Sequence, residues 1–404
     1  MLTPFLIFLA WILGFFQFMQ PVFPASSPAE EQALYWAPVI YQQTDPRLPK
    51  ADYITRFDFD GDFDGWNNWE NLQKFPLQAA VYYHVAETEN LLFIYYGIFH
   101  PRDWEPGFDN PLSSHENDLE DLLLVIHKDG SPRGRLLLLE TQAHFDFHAY
   151  AAARLKSRST PIEGPLPLAG QSPRILIPPG GHGNYGLYST RPEGSGILYQ
   201  AAEQAAVPQG PDSFQKICNY RLLPFDELWQ RRNQTGPGTP YRRFGEFGAN
   251  DYTWLNAASA PWVHDDQNDG PVWPGDIFAD PDYAVHQHVS GLPASSENYL
   301  QAPLYTHRLE IQALRILRPV EAPRLEVWQK ETLLWSVPLN HQSAEYWQLP
   351  IQTRYFSLAP GGLKLKLTNQ NQELSSFEFP TENSPMAWYG KDSFWFQASL
   401  KLKP

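Results

Sequence analysis

Alternation of apolar and polar residues with a period of two is the main pattern along this chain, and it predicts β-strands. Leu77–Val85 and Leu91–Phe99 are rich in Tyr, Val, Ile and Phe and are separated by a short polar turn, as in a hairpin. Leu122–Ile126 and Arg135–Ala143 follow, joined by a turn that contains Gly130. Short strands joined in this way predict a mainly β fold with an antiparallel β-sandwich core.

The pattern changes character near residue 305. Beyond that point the alternation is cleaner, and about a hundred residues of this kind suffice for a small sandwich. We therefore predict a core domain over residues 30–305 and a smaller C-terminal β-sandwich-like domain over residues 306–404. The C-terminal strands are predicted at Arg308–Leu317, Arg324–Gln329, Leu333–Leu339, Leu363–Thr368 and Phe394–Leu402.

Few segments have helical character. We expect helices only around Glu193–Ala206 and Phe225–Asn233. The segments Ser157–Gln171 and Val207–Asp212 are rich in Pro and Gly, which predicts long surface loops rather than breaks between domains.

The N-terminus predicts export. Met1–Met19 is almost wholly apolar, and the first basic residue of the chain is Arg47. An apolar run followed by Ser27-Pro28-Ala29 is typical of a secretory signal, with cleavage expected after Ala29. An uncleaved membrane anchor is the alternative, because the run approaches the length of a spanning helix. Residues 1–29 are thus expected to be a signal peptide or an anchor, which would place the protein outside the cytoplasm as a secreted or membrane-anchored chain.

Charge and cysteine content narrow the classes of partner. Among 404 residues, 30 Lys and Arg stand against 45 Asp and Glu, which gives a formal net charge of -15. Nucleic acid is disfavoured as a partner, because phosphate contacts need Lys and Arg. The single cysteine, Cys218, excludes an intrachain disulfide, so that stability must come from packing, with help from metal if a metal is bound.

The densest candidate chemistry lies at His115, Asp118 and Glu120, directly before the apolar run Leu122–Ile126. If the strand continues through this point, Asp118 and Glu120 point to the same face. Two carboxylates beside an imidazole repel each other, and a divalent cation would offset that repulsion. The alternative is a solvated acidic loop.

Two later polar clusters also lie next to apolar strand candidates. His144, Asp146 and His148 alternate with two phenylalanines, so a strand would place the three polar side chains on one face. His182 lies among four glycines after Arg174–Ile177, where the backbone can approach a ligand closely. Upstream, the polar cluster His100–Trp104 closes the strand candidate Leu92–Phe99. We predict that these three clusters share one site with the His115 group.

An aspartate-rich segment forms a separate candidate site. Asp60, Asp62 and Asp64 followed by Gly65 match the front half of a calcium-binding loop, although the back half is offset by one residue. Calcium is the preferred interpretation, and an exposed acidic turn is the alternative. A further cluster, Val263–Gly270 beside Trp262, could complete an ion site or form a sugar-binding rim, but an Asp-rich turn is the favoured interpretation.

The order His-x-x-Asp-x-Glu at His115, Asp118 and Glu120, followed some sixty residues later by Gly-Gly-His-Gly, resembles two related families. These are the necrosis- and ethylene-inducing-peptide-like cytolysins and the vacuolar protein sorting-associated protein 62 family. The segment Tyr35–Tyr41 and the loop around His182 fit the second family better. The resemblance to the cytolysins implies a β-sandwich whose divalent ion is held by the three motif residues and which binds plant sphingolipid head groups. It also implies that His182 matches a functional histidine.

Two classes of function remain open at this stage. In the first, the ion and its rim recognise a lipid or glycan head group or another small molecule, and a lipid ligand would bring the protein to a membrane surface. In the second, the same site is a metal-dependent hydrolase with His182 as general base. One histidine and two carboxylates favour calcium or magnesium, and hence recognition. If His144 and His148 joined the site, the balance would shift to zinc and catalysis.

Overall fold

The computed structural model describes most of the chain, and most of what it describes is β-strand. The prediction of a mainly β fold with several sheets and few helices is confirmed. The described residues are 27–65, 67–104, 115–143, 146–231, 277, 280–296, 298–304, 307–317, 320–329, 332–341, 346–348, 353–356, 363–369, 372–379, 384–391 and 394–402.

The described elements are as follows. The helices are α1 (Pro28–Trp36), a 3-10 helix (Pro49–Asp52), α2 (Asn68–Asn71), α3 (Asp226–Trp229) and α4 (Pro281–His288). The first strands are β1 (Val39–Gln43), β2 (Ala80–Thr88), β3 (Leu91–Asp103), β4 (His115–His127), β5 (Arg135–Ala143), β6 (Asp146–Ala151), β7 (Lys156–Ser157), β8 (Ile162–Gly164), β9 (Leu168–Ala169), β10 (Ser172–Ile177), β11 (Tyr185–Gly186), β12 (Gly196–Ala201), β13 (Ser213–Pro224), β14 (Val289–Ser290) and β15 (Tyr299–Gln301). The later strands are β16 (His307–Ile316), β17 (Arg324–Gln329), β18 (Thr332–Pro338), β19 (Asn340–His341), β20 (Tyr346–Gln348), β21 (Thr353–Phe356), β22 (Leu363–Asn369), β23 (Gln372–Phe379), β24 (Ser384–Lys391) and β25 (Phe394–Leu402).

One large sheet forms the first part of the molecule, in the order β11-β10-β1-β12-β13-β2-β3-β4-β5-β6-β8. Strands β2 to β6 form the antiparallel meander that the hairpin patterns predict. Four other neighbours in the sheet pair in parallel, namely β1 with β10, β12 with β13, β13 with β2, and β6 with β8. The sheet is therefore mixed, and segments far apart in sequence lie side by side.

The meander is buried on both faces. Along β3, Ile94 and Tyr96 contact one hydrophobic cluster, while Phe93 and Tyr95 contact another. The first cluster includes Ile40, Ile175 and Ile197 of β1, β10 and β12, so this sheet folds back on itself as a sandwich. On the second face, the cluster includes Leu228 and Trp229 of α3 and Ala284 and Val285 of α4. Polar residues on β3 and β4 are therefore withdrawn from water.

Helix α1 closes one side of the sandwich. Ser27 caps it, because its Oγ accepts a hydrogen bond of 3.1 Å from the amide of Glu30. The Tyr96 hydroxyl donates a 2.6 Å bond to the carbonyl of Ala33 and so fixes the helix to the buried face. Removal of the chain up to Ala29 would delete this cap.

Within the described residues, no helix is long and apolar enough to cross a membrane. Of the expected leader, residues 1–26 lie outside the described residues.

The structure corrects the helix predictions. A helix over Glu193–Ala206 is wrong, because Gly196–Ala201 is strand β12, paired on both edges by β1 and β13. Its apolar residues Ile197 and Tyr199 face the sandwich core, and this burial in a sheet outweighs helix propensity. In the segment Phe225–Asn233, the described part contains only the single turn α3.

The strands from His307 onward form two further sheets. One has the order β19-β20-β16-β25-β24 with β21 also on β16, and the other has the order β18-β17-β22-β23. Their apolar residues, including Leu309, Leu365 and Phe396, form a hydrophobic cluster whose described members all lie between residues 309 and 400. The strands at Arg324–Gln329 and Phe394–Leu402 have the predicted bounds. The division near residue 305 stays a prediction.

The burial of the meander makes a direct prediction. Leu124→Ala removes a side chain with no exposed surface from β4, so we expect the free energy of unfolding to fall by about 2–5 kcal/mol. Leu300→Ala on β15, where the side chain is 69% exposed, should change it by less than about 1 kcal/mol. Urea denaturation followed by far-UV circular dichroism measures both. Equal losses in the two variants would contradict a doubly covered meander.

Candidate metal centre

The polar ends of β3 and β4 meet at one point of the sandwich. The register pairs His100 with Asp118 and Ile98 with Glu120. The side chain of Leu119 packs on the hydrophobic cluster that includes helices α3 and α4. Leu122 and Leu124 pack on the other cluster, inside the sandwich, and we call that side the inner face. Alternation therefore places Asp118 and Glu120 on the inner face, where each is only 1% exposed.

His182 bridges two buried aspartates at this point. Its Nδ1 lies 2.8 Å from Oδ2 of Asp118, and its Nε2 lies 3.0 Å from Oδ1 of Asp52. The side chain of His182 is fully buried, as is that of Asp52. The backbone of His182 is left-handed, with φ of 50°, and the next residue is Gly183, where a Cβ would lie 2.7 Å from Cβ of Ala143. The glycine-rich loop can thus carry the imidazole into the sandwich, as the sequence predicts.

Asp52 is held by several donors. Its Oδ1 also accepts bonds from the indole nitrogen of Trp104 at 3.2 Å and from the amide of Gly180 at 2.9 Å. Its Oδ2 accepts a 2.7 Å bond from the amide of Asp45. A carboxylate with this many donors is held in one orientation and fixes the orientation of its partners.

These contacts determine the charge of His182. Burial disfavours the imidazolium, but the hydrogen bonds and negative charges of Asp118 and Asp52 outweigh burial and raise the pKa of His182 to about 9. At neutral pH the ring is therefore an imidazolium that donates from both nitrogens. The two aspartates and this ring form a buried chain that we call the Asp-His-Asp bridge (Asp52, His182 and Asp118).

His100 lies against the bridge in the opposite charge state. Its ring stacks on that of His182, with centroids 3.7 Å apart and planes 8° from parallel. Burial, and then the charge of His182, hold the pKa of His100 well below its usual value, so the ring is neutral. Its Nε2 lies 2.9 Å from Oε1 of Gln42, and its Nδ1 lies 4.0 Å from Oδ2 of Asp118.

His100, Asp118 and His182 could hold a metal ion. Each offers a ligand atom, and these atoms lie within 4.8 Å of one another. No other group of three His, Cys, Asp or Glu meets this criterion in the part of the chain that the structure describes. Imidazole nitrogens combined with a carboxylate oxygen form a usual donor set for divalent metals.

The other predicted ligands lie away from this triad or are not fully described by the structure. His115 is the first residue of β4 and pairs with Asp103, and the structure describes its backbone but not its side chain. Asp146 is exposed at the start of β6, and His144 lies outside the described residues. Nδ1 of His148 contacts a carboxylate oxygen of Glu163.

A half-exposed rim lies beside Glu120. The ring of Tyr185 is 4.9 Å from that of His148, and the pKa of Tyr185 is raised by burial and then by the charges of Glu120, Asp146 and Glu163. The structure therefore brings Asp146 and His148 to this rim and leaves them out of the buried triad. We call these four residues, Tyr185, His148, Glu163 and Asp146, the tyrosine rim.

The aspartate-rich segment forms a turn that bonds to itself. Oδ1 of Asp60 accepts from the amide of Asp62, and Oδ1 of Asp62 accepts from the amide of Asp64, at 3.3 and 2.8 Å. Oδ2 of Asp60 accepts a 2.6 Å bond from Asn71. These contacts are those of the alternative interpretation, an acidic turn, and calcium at Asp60, Asp62 and Asp64 stays a prediction. The cluster Val263–Gly270 lies outside the described residues.

Sequence reasoning missed Asp52 and Gln42, and it assigned the cluster His100–Trp104 to the shared site without naming His100 as a ligand. His100 had a signal, since it ends an aromatic strand candidate and begins a His-Pro-Arg-Asp cluster. Asp52 had none, because it follows Pro49 and Lys50 in a segment without period-two alternation. Gln42 looks like an ordinary polar position at the end of a strand.

Comparison with known proteins gives limited likeness. No family model matches the chain, and no curated protein matches it. Similar solved structures are NLP proteins, the necrosis- and ethylene-inducing-peptide-like group. One, titled a toxin fold for microbial attack and plant defense, has a TM-score of 0.24 and 16% identity over 49% of this chain and 78% of its own. NLPPya in complex with glucosamine has a TM-score of 0.24 and 19% identity over 42% and 73%. The non-toxic HaNLP3 protein has a TM-score of 0.26 and 14% identity over 55% and 89%.

At these TM-scores the likeness carries no inference about the chemistry of this chain. Membership of the vacuolar protein sorting-associated protein 62 family stays a prediction. The structure is that of a mainly β protein with a buried His/Asp centre that could hold a metal ion.

The Asp-His-Asp bridge predicts a pH-dependent stability. The pKa of His182 is about 9 in the folded protein and about 6.5 when exposed, so its stabilising contribution is complete below pH 6.5, declines as pH rises and is lost above 9. The contribution is at most about 3 kcal/mol. His182→Gln should remove this component from the curve of unfolding free energy against pH, whereas His127→Gln at the far end of β4 should keep it. Parallel curves for the wild type and His182→Gln between pH 6.5 and 9 would contradict the bridge.

Proposed function

We propose that this protein is exported and binds a divalent cation at the inner ends of β3 and β4, and that the ion and its rim recognise lipid or glycan head groups. Asp118 and Glu120 supply oxygen ligands, with His115 as the third residue of the sequence motif. The observation that carries the proposal is the buried group His100, Asp118 and His182, whose ligand atoms lie within 4.8 Å of one another. Tyr185, three residues after His182, is half-buried, and its ring lies 4.9 Å from that of His148.

The tyrosine rim suits a polyhydroxyl ligand. Sugar rings stack on aromatic faces, and their hydroxyls bond to carboxylates and imidazoles. Tyr185 offers the face, and Glu163 and Asp146 are exposed carboxylates. The hydroxyl of Tyr150 donates a 3.0 Å bond to Oε2 of Glu163, which holds that carboxylate in place. A ligand bound here lies next to Glu120, where an ion can bridge to an anionic or hydroxyl group.

The Asp-His-Asp bridge favours recognition over hydrolysis. A general base needs a free lone pair within reach of its substrate. Both nitrogens of His182 lie within hydrogen-bond distance of carboxylates, and the ring is fully buried. In this arrangement His182 donates protons to aspartates and orients Asp118, so the predicted base of the alternative hydrolase is not available.

Export rests on the sequence. The apolar run Met1–Met19 and the small residues Ser27-Pro28-Ala29 support a leader or an anchor that takes the chain out of the cytoplasm. A location outside the cytoplasm agrees with a head-group ligand on a cell surface. Fractionation of cells that express the full chain tests this part, with recovery in the cytosol as the contrary result.

Binding to vesicles tests the recognition proposal. We expect the full chain to sediment with phosphatidylcholine vesicles that carry a glycosylated sphingolipid, and not with phosphatidylcholine alone. Chelation with EDTA should abolish sedimentation, because the ion bridges protein and ligand. Tyr185→Ala should weaken binding about tenfold or more through loss of the stacking face. Tyr283→Ala, which removes a tyrosine that is 41% exposed on α4, is the matched control.

Histidine variants provide a second arm. His115→Ala should raise the cation concentration needed for sedimentation, whereas His127→Ala at the other end of the same strand should not. Sedimentation that persists in EDTA, or that is equal for Tyr185→Ala and Tyr283→Ala, would overturn the proposal.

A further inference from the structure

Gln42 fixes the tautomer of His100. The amide nitrogen of Gln42 lies 2.9 Å from the carbonyl of Gln43 and 3.5 Å from the carbonyls of Ile177 and Pro178. These acceptors orient the amide so that its oxygen, Oε1, faces Nε2 of His100 at 2.9 Å. An oxygen acceptor requires a proton on Nε2. In the neutral ring, Nδ1 of His100 therefore carries a lone pair.

That lone pair faces another acceptor. His100 has no exposed surface, and its Nδ1 has no hydrogen-bond partner. The nearest carboxylate atom is Oδ2 of Asp118, 4.0 Å away. Two buried acceptors that face each other across such a gap are unfavourable unless a donor or a cation lies between them. Ligand atoms about 2.0–2.2 Å from a tetrahedral zinc ion lie about 3.4 Å apart, so a small closure of this gap would bring both atoms within bonding distance of one ion.

His182 repeats the arrangement of His100. In both rings Nε2 is backed by an oxygen acceptor, Oδ1 of Asp52 for His182 and Oε1 of Gln42 for His100. In both rings Nδ1 faces Oδ2 of Asp118, at 2.8 and 4.0 Å. Histidines that bind metals are typically backed in this way, because the outer acceptor fixes the tautomer and makes the free nitrogen a better ligand.

We infer that the cation of this site is zinc or a similar borderline metal, bound by Nδ1 of His100, Nδ1 of His182 and the carboxylate of Asp118. The inference rests on the proposed function for the presence of a divalent ion and changes its expected class. The proton between Nδ1 of His182 and Asp118 passes to solvent when the ion enters, and the stacked rings tilt so that both lone pairs converge on it. Two nitrogens and one carboxylate favour zinc over calcium or magnesium, which prefer oxygen ligands. The histidines that shift this balance towards zinc are His100 and His182.

Metal binding without any lipid tests the inference. After chelation and dialysis, we expect the full chain to bind one zinc ion in isothermal titration, with calcium in large excess in the buffer. X-ray absorption of the zinc-loaded wild type should show scattering from two imidazoles, a readout that needs no variant. Cobalt in place of zinc should give visible absorption bands of a site with nitrogen ligands.

Variants locate the ligands. His100→Ala should weaken zinc binding by more than about a hundredfold, and Gln42→Ala, which keeps all three ligands, by about 10–100-fold. His84→Ala on β2 is the control, because His84 is half-buried and bonded to the carbonyl of Ala302 rather than to this site. Near-UV circular dichroism establishes that each variant is folded.

The contrary results are distinct from those of the head-group proposal. Stoichiometric calcium with no zinc, an absorption spectrum without imidazole scattering, or equal zinc affinity for the wild type and a folded His100→Ala variant overturns the zinc site and leaves cation-dependent vesicle binding intact. Tight zinc binding together with no vesicle binding overturns head-group recognition and supports the zinc site.

Discussion

A buried imidazolium between two buried carboxylates holds together parts of this chain that are far apart in sequence. Asp52 ends a 3-10 helix near the N-terminus, Asp118 lies on β4, and His182 lies in a loop after β10. Charges withdrawn from water are costly unless they are paired and hydrogen-bonded, and here each partner satisfies the next. Replacement of His182 leaves two carboxylates inside the sandwich without their shared cation. The position of the glycine-rich loop and the position of the end of β4 are thus coupled.

A second set of polar contacts supports the same strand end from the other side. Asn117 precedes Asp118 and has a left-handed backbone, with φ of 62°. Its side chain accepts a 2.8 Å hydrogen bond from Asn68 and donates a 3.2 Å hydrogen bond to the carbonyl of Gly65. A Cβ at Gly65 would lie only 2.3 Å from the side-chain nitrogen Nδ2 of Asn117. The aspartate-rich turn therefore docks next to Asp118 through its asparagine and glycine residues. Its proximity to the centre has a structural cause that does not depend on calcium.

The part of the fold in which neighbouring segments pair with each other could be predicted from the alternation of apolar and polar residues. The meander could be read from alternation, because each of its strands pairs with its neighbour in sequence, and the bounds of Arg135–Ala143 were predicted as they stand in β5. The glycine-rich loop indicated a close approach by His182, and the structure places that ring on Asp118. The partners Asp52 and Gln42 could not be predicted. Gln42 lies on β1, whose pairing with β10 is non-local, and Asp52 lies in a 3-10 helix without period-two alternation. The strand β12 was mistaken for a helix for a related reason, since its pairing with β1 and β13 is non-local.

The residues of this site lie at different depths within the sandwich, and depth determines what each residue can contact. His100 and His182 have almost no exposed surface, so an ion held between them lies deeper than the tyrosine rim. Tyr185 is half-buried, and burial and then the charge of Glu120 raise its pKa. A buried ion would act by fixing Asp118, the end of β4 and the loop that leads from His182 to Tyr185. Residues 182 to 185 form one short segment, so the orientation of the inner imidazole and that of the outer aromatic ring are set together.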